Sequence, residues 1–171
     1  MFLFLNAALY QAGWAACVLG AAYGAPWAGL VAAAAILAWH LARAAGPVQE
    51  MLLVLAAAAA GLVFETALLQ TGWIRYPEAA AAGSLAPAWM VALWGLFATT
   101  FNVSLRALRS RLVIASLLGA AGAPLAYYAG ARLGALDLVA PQAALVAIAL
   151  GWAIATPALL RLARRLDGYA T

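Results

Sequence analysis

Charge is scarce in this sequence, and lysine is absent altogether. Only 8% of its 171 residues are charged, whereas a soluble domain carries roughly 25%. Hydrophobic residues make up 69% of the chain, and its mean hydropathy is +1.02. A water-soluble fold of this length cannot bury so much apolar surface, because small folds leave a large fraction of their surface exposed. The composition therefore predicts a protein whose solvent is the lipid bilayer.

Cysteine and histidine each occur once, which narrows the chemistry available to the chain. Cys17 has no second cysteine with which to form an internal disulfide, and its apolar surroundings predict a small core residue. His40 has no second histidine, and no cysteine or carboxylate at the spacing of metal ligands. We therefore expect no metal and no cofactor.

Six apolar segments are long enough to cross a bilayer, which takes about 20 residues. Clusters of glycine, proline and charged residues separate them, and the longest loop contains Tyr76-Pro77-Glu78 and Gly83-Ser84. The predicted fold is all-α, a polytopic membrane protein built as a six-transmembrane-helix bundle. It forms a single transmembrane domain over residues 1–171, with helices at about 3–22, 27–43, 49–72, 87–105, 112–131 and 139–162.

Arginines are distributed unequally between the two ends of this predicted bundle. Short loops make neighbouring helices antiparallel, so the N-terminus, the second and fourth loops and the C-terminus share one side. That side carries seven arginines and the other side two, which predicts that both termini are cytoplasmic. Aromatic residues fall at the outer boundary, as an aromatic belt does: Trp27, Trp73, Tyr76 and Trp89.

A cleavable signal peptide is the competing interpretation of residues 1–25. The segment lacks a positively charged start, and Asn6 and Gln11 interrupt its apolar run. The net charge of +4 belongs to arginines at the ends of apolar segments, where they set orientation. We therefore expect membrane lipids as partners and no nucleic acid, and a homo-oligomer or a membrane partner protein is left open.

One carboxyl group, Glu65, stands in the middle of the apolar residues of the third helix, seven residues before its predicted end. At about 1.5 Å of rise per residue it lies roughly 10 Å below the outer boundary. Its helix face carries Ala58, Gly61 and Gly72, and such small residues are typical of contacts between membrane helices. An ionised group at this depth requires a partner, and by default it marks a functional site.

The preferred partner of Glu65 is Arg132, at the end of the fifth helix. Gln70 and Arg75 are local alternatives, but Arg75 can extend into the headgroups. The pair would either join two helices or form part of a ligand site. In the second case, three further residues are expected to line an outer ligand-binding cleft: Tyr128, Gln11 and Trp14.

Two further patterns concern helix packing. Small residues recur every four positions along the fifth helix and predict close packing against another helix: Gly122, Ala126, Gly130 and Gly134. A second, inner polar cluster is expected in the cytoplasmic half, either as ordinary hydrogen bonding between helices, at about 0.6 kcal/mol per contact, or as a secondary site. Its members are Asn6, His40, Thr99, Asn102 and Ser104.

The order of these features resembles a bacterial family known as domain of unknown function 2878. The resemblance covers nearly the whole chain and is carried by Asn6-Ala-Ala-Leu-Tyr-Gln11-Ala-Gly-Trp14, His40, Arg75-Tyr-Pro77, Pro87-Ala-Trp89, Thr99-Thr-Phe-Asn102-Val-Ser104-Leu and Ala123-Pro-Leu-Ala-Tyr-Tyr-Ala-Gly130-Ala-Arg132-Leu-Gly134. One departure is Glu65, where the family is associated with an aspartate. The resemblance implies a small multi-spanning protein of the bacterial inner membrane, similar in setting to proteins encoded beside fatty-acid-modifying enzymes. It supplies no established activity.

Three functions remain open at this point. The first is binding of an amphipathic lipid or fatty acid, in support of lipid modification. The second is transport of a small solute, or substrate binding within a transporter complex. The third is a membrane-embedded enzyme, which ranks last because Ser-His-Asp, metal and phosphate-loop patterns are absent from the sequence. Hydrolysis would require His40 and Glu65 together, and they are predicted at opposite membrane faces.

Overall fold

In a computed structural model, which describes residues 2–77 and 84–169, the chain forms six α-helices. The all-α prediction is therefore confirmed, and five of the six predicted helices agree within three residues at each end. Glu78 and Gly83, expected in the longest loop, lie outside the described residues. The helices are α1 (Phe2–Ala22), α2 (Pro26–Arg43), α3 (Pro47–Gln70), α4 (Ala88–Ala98), α5 (Leu112–Leu133) and α6 (Pro141–Arg165).

The fourth helix is much shorter than predicted. It ends at Ala98 rather than at residue 105, and buried turns follow before a 3-10 helix over Arg106–Ser110. The hydroxyls of Thr99 and Thr100 donate hydrogen bonds of 2.7 and 2.6 Å to backbone carbonyls three residues earlier. Such bonds offer the backbone an alternative to the next helical turn, which explains why an uninterrupted apolar segment stops being helical there.

Four helices in the described ranges, α1, α3, α5 and α6, are long and apolar enough to cross a membrane. Their outward faces carry large apolar side chains without protein neighbours. On α6, Val146, Leu150 and Ile154 recur every four residues and are 59%, 63% and 72% exposed. A stripe of this kind suits a lipid surface. The membrane character of the helices is confirmed, whereas the count of six spans and the cytoplasmic termini stay predictions.

The two ends of the bundle differ in their connections. One end, called the arginine-rich end below, joins the start of α1, the α2–α3 connection, the 3-10 helix and the chain after α6. At the opposite end, strands β1 (Ile74–Arg75) and β2 (Asp137–Leu138) form an antiparallel pair. Gly134 allows α5 to stop before β2, because it takes a φ of 90°, which few other residues adopt.

The helices pack chiefly in three pairs, α1 with α2, α3 with α4, and α5 with α6. Their buried side chains form two apolar clusters. One lies towards the opposite end and includes Tyr76, Trp89 and Tyr127, and the other surrounds Trp94 and Phe101. Helix α3 contributes a fully buried carboxyl group at each end of the bundle, Glu50 and Glu65, and these two groups organise the polar contacts of the interior.

Candidate functional site

Glu65 is fully buried and accepts three hydrogen bonds from aromatic side chains. The Tyr76 hydroxyl donates to its Oε2 at 2.8 Å, and Trp94 Nε1 donates to its Oε1 at 2.9 Å. The Tyr127 hydroxyl also donates to Oε1. The donors come from three different parts of the chain, namely the segment after β1, α4 and α5. Burial raises the pKa of Tyr76 well above its ordinary value, so this hydroxyl keeps its proton and remains a donor at neutral pH.

The predicted ion pair between Glu65 and Arg132 is wrong. Arg132 is exposed in the last turn of α5, and no salt bridge joins it to Glu65 among the described residues. The local alternatives do not contact the carboxyl group either, because Gln70 donates to the Ser84 carbonyl at 2.7 Å and Arg75 is exposed in β1. Neutral donors, rather than a cation, satisfy Glu65.

Sequence reasoning missed the three donors, each for its own reason. Tyr76 was expected in an aromatic belt at the membrane boundary, but only 1% of it is exposed. Trp94 sits within an apolar run without a distinguishing pattern. On α5 it is Tyr127 that donates to Glu65, while the predicted Tyr128 is 50% exposed. Adjacent helix positions differ by about 100° in direction, so the choice between the two tyrosines depends on the rotation of α5.

A cavity of about 440 Å³ lies between α1, α4, α5 and α6, and is called the bundle cavity below. Two residues predicted for the outer cleft line it, Gln11 and Trp14. Trp94 and Tyr127, two of the three donors to Glu65, form part of its wall, whereas Arg132 and Tyr128 do not. Along α5 the lining runs from Leu118 to Gly130, a distance of roughly 18 Å at 1.5 Å per residue. The space is therefore elongated along the helix axes.

The ridge of small residues on α5 does not pack closely as predicted. Gly122, Ala126 and Gly130 line the bundle cavity instead. A Cβ atom added at Gly122 would meet no atom within 4 Å. The close contact lies one turn earlier at Gly119, where an added Cβ would come within 2.5 Å of the Trp152 carbonyl oxygen on α6. The small residues of the predicted ridge therefore create space.

At the arginine-rich end, Glu50 is the centre of a second polar network that sequence analysis did not identify. His40 Nε2 lies 2.9 Å from its Oε2, while Asn102 Nδ2 and the Gly168 backbone N–H donate to its Oε1 at 2.7 and 2.9 Å. Glu50 was missed because a charged residue in the first turn of a membrane helix resembles an ordinary boundary charge. The available signal was its closeness to the only histidine, ten residues earlier.

The other members of the predicted inner cluster form a hydrogen-bonded group of their own. Asn6 Nδ2 donates to the Thr99 carbonyl at 3.1 Å, and Asn6 Oδ1 accepts from the Ser104 hydroxyl at 2.7 Å. All five predicted residues therefore make hydrogen bonds at this end, in two groups connected by the turns of residues 99–105. A role in ligand binding for this cluster stays a prediction.

The segment after α6 closes the arginine-rich end. Asp167 accepts hydrogen bonds from Arg106 at 2.6 Å and from Arg109 at 2.7 Å. The Tyr169 hydroxyl donates to the His40 carbonyl at 2.6 Å. Burial, followed by the negative charge of Glu50, raises the pKa of Tyr169 to about 12. Both nitrogens of His40 have neighbours within the protein, with Glu50 beside Nε2 and the Tyr169 hydroxyl 3.3 Å from Nδ1.

The two polar networks lie at opposite ends of α3. His40 belongs to one network and Glu65 to the other, so the structure does not bring together the pair that hydrolysis would require. Within residues 2–77 and 84–169, three or more His, Cys, Asp or Glu side chains are nowhere grouped in a way that could hold a metal ion. The bundle cavity borders the Glu65 network, because Trp94 and Tyr127 belong to both.

Comparison with known proteins identifies the family of the chain. No curated protein and no solved structure matches the chain. A family model does match it, over residues 3–158, and is described as "Protein of unknown function (DUF2878)". That range includes all of the helices apart from Phe2 at the start of α1 and the end of α6. It also includes both donors from the bundle cavity wall and both buried glutamates. The chain therefore belongs to the family of unknown function DUF2878.

Proposed function

We propose that this protein binds a chain-shaped amphipathic lipid in the bundle cavity. The shape of the cavity carries the proposal. Its volume of about 440 Å³ is within the roughly 300–1,000 Å³ of small-molecule sites. It extends for roughly 18 Å along the helices, which suits an acyl or similar chain better than a compact solute.

The mouth of the bundle cavity favours entry from the surrounding membrane. Gln11, Leu118 and Gly122 line the cavity and are also exposed, so the space is accessible from the side of the bundle. This side consists of the apolar helices α1 and α5, whose outward faces suit lipid. Membrane lipids are therefore the molecules present at the entrance in greatest number.

The lining supports binding rather than chemistry. The described residues that line the bundle cavity include no histidine, cysteine, serine, aspartate or glutamate, so the hydroxyls of Thr156, Tyr10 and Tyr127 have no such group beside them on the wall to act as a general base. Glu65 lies behind that wall, where its three donors already occupy it. We therefore propose that the protein assists lipid modification by holding the lipid, and that the reaction takes place elsewhere.

Filling the cavity tests this proposal. Gly122→Phe places a large side chain where an added Cβ meets open space, so we expect the variant to fold and to lose the lipid. Leu125→Phe is the matched control, because Leu125 is 69% exposed on the same helix and does not line the cavity. Mass spectrometry of lipid retained by each purified protein gives the result. Equal retention by all three proteins would refute the proposal.

Transport of a small solute is the second candidate, and the break in α4 favours it. Discontinuous helices with buried irregular backbone are frequent at the substrate sites of transporters. Here the turns after Ala98 are buried and carry Asn102 of the inner network. Uptake of a panel of radiolabelled solutes into proteoliposomes tests this candidate, and uptake no greater than in empty liposomes would count against it.

A further inference from the structure

Two polar atoms of α6 have no hydrogen-bond partner among the described residues. They are Trp152 Nε1 and Thr156 Oγ1. Both residues line the bundle cavity, and only 3% of Thr156 is exposed. Residues four positions apart lie on one face of a helix, so the two polar groups belong to the same wall. Burying a hydrogen-bonding group without a partner costs free energy, so such a pair calls for an explanation.

No contact with hydrogen-bond geometry in the described part of the chain supplies the missing bonds, although the Tyr127 hydroxyl, which donates to Glu65, lies near the Trp152 side chain. A threonine hydroxyl in a helix can donate to the carbonyl four residues earlier, which here is the Trp152 carbonyl, but Thr156 does not. Gly119 of α5 faces this point, and a Cβ added there would collide with Thr156 Oγ1. The missing side chain at Gly119 makes room for the hydroxyl, which packs against α5 at this point.

The two groups lie deep within the span. Trp152 and Thr156 are 11 and 15 residues beyond Pro141, the first residue of the 25-residue helix α6. At 1.5 Å per residue this places them roughly 17 and 23 Å along the helix, well inside a hydrocarbon core about 30 Å thick. A ligand atom that reaches them belongs to the middle of a lipid molecule and not to a headgroup at the boundary.

The hydrogen-bonding chemistry of Trp152 and Thr156 determines which kind of ligand atom they can bind. The indole N–H of Trp152 only donates, and the Thr156 hydroxyl donates or accepts, so a hydrogen-bond acceptor satisfies both. Arginine, lysine and histidine are missing from the described residues that line the cavity, so a charged acceptor would have no counter-charge on this wall and would be costly at this depth. The acceptor is therefore uncharged.

We infer that Trp152 and Thr156 form a subsite for an uncharged oxygen, such as a ketone, an ester carbonyl or a hydroxyl, carried partway along the chain of the bound lipid. This inference rests on the proposed function, because it requires a lipid in the bundle cavity. It specifies the class of lipid, a chain oxygenated in its middle, in place of a plain acyl chain.

The test compares two probes of equal length, methyl stearate and the methyl ester of stearate with a keto group midway along the chain. Binding to the purified full-length protein in nanodiscs is measured by native mass spectrometry. We expect the keto ester to bind about tenfold more tightly, equivalent to about 1.4 kcal/mol. Thr156→Val should reduce this preference, because only the Trp152 N–H remains as a partner, and should leave binding of methyl stearate unchanged, whereas Thr156→Ser should retain the preference in full.

A second readout separates a ligand subsite from a structural role. Because the Thr156 hydroxyl has no partner, Thr156→Val should unfold at the same temperature as the wild type or higher when no probe is present. A large fall in that temperature would overturn the inference, since it would mean that the hydroxyl stabilises the fold.

The outcomes also distinguish the inference from the function on which it rests. Equal binding of the two esters by the wild type would overturn the inference and leave lipid binding intact, as would be the case if ordered water satisfied both groups. If the Gly122→Phe variant binds both esters as tightly as the wild type does, the inference and the proposed function are both overturned, because the probes would then lie outside the cavity.

Discussion

Replacing Glu65 is the perturbation whose effect the structure predicts most directly. Glu65→Leu removes the acceptor shared by three donors, the Trp94 indole and the Tyr76 and Tyr127 hydroxyls. Each buried donor left without a partner costs about 1–3 kcal/mol, so the three together cost roughly 3–9 kcal/mol. A typical domain is stable by about 5–15 kcal/mol, so the variant should lose a large fraction of its stability and unfold at a much lower temperature. Glu65→Gln keeps one acceptor oxygen and should lose only about 1–3 kcal/mol.

Cys17 provides the assay for these variants. It is the only cysteine and is fully buried, so a maleimide that fluoresces on reaction with a thiol detects unfolding in detergent. Asp137→Leu is the control, because it removes an exposed carboxyl group and should leave the unfolding temperature nearly unchanged. If Glu65→Leu unfolds at the temperature of the wild type, the carboxyl group does not hold the three donors and the reasoning is refuted.

Two further predictions concern other parts of the molecule. Gly119→Ala should lower the free energy of unfolding by about 1–3 kcal/mol, and with it the unfolding temperature in the same assay, because its Cβ collides with Thr156. Ala120→Gly, on the same helix, serves as a comparison for the change in helix propensity alone. Tyr169 should titrate with a pKa of about 12, so the stability that its neutral form provides is complete below pH 10.0 and is lost as the pH rises towards 12. The difference in tyrosinate absorbance between wild type and Tyr169→Phe measures this pKa, and a midpoint near 10.0 would contradict burial beside Glu50.

The two buried glutamates give α3 a distinctive role. Glu50 and Glu65 are 15 residues apart, so about 22 Å of helix separates them. Each glutamate connects α3 to distant parts of the chain. Glu50 connects it to α2, to the turns after α4 and to the segment after α6. Glu65 connects it to α4 and α5. Helices in lipid gain nothing from burying apolar surface against one another, so polar contacts of this kind help to determine which helices are neighbours.

Prediction from the sequence succeeded where the relevant property is local to a segment. Apolar length and Gly/Pro punctuation located five helices within three residues. The predicted end of the fourth helix was wrong because hydropathy does not distinguish a helix from buried turns. The hydroxyls of Thr99 and Thr100 end that helix by donating hydrogen bonds to the backbone. Glu65 was identified as the central polar group of its half for the same local reason, since a carboxyl group is conspicuous in an apolar run.

Prediction of the side-chain partners failed because those partners depend on how each helix is rotated and on how closely the helices approach one another. Arg132 was the obvious counter-charge by depth, yet the rotation of α5 directs Tyr127 towards Glu65 and leaves Arg132 exposed. The spacing of Gly122, Ala126 and Gly130 indicated a face of small residues correctly. Whether that face contacts a helix or borders a cavity depends on the position of α1, about which the spacing carries no information.

Composition and segment length were thus enough to establish an all-α membrane-type fold, because hydropathy is a sum over neighbouring residues, whereas the family was recognised from particular residue patterns along the chain. The six spans and the orientation predicted from the arginines rest on the same local information. The aromatic donors of Glu65, the Glu50 network, the bundle cavity and the unpaired atoms of Trp152 and Thr156 emerged from the packed helices alone. Each of these depends on residues far apart in the chain meeting at distances of a few ångströms, which no local pattern specifies.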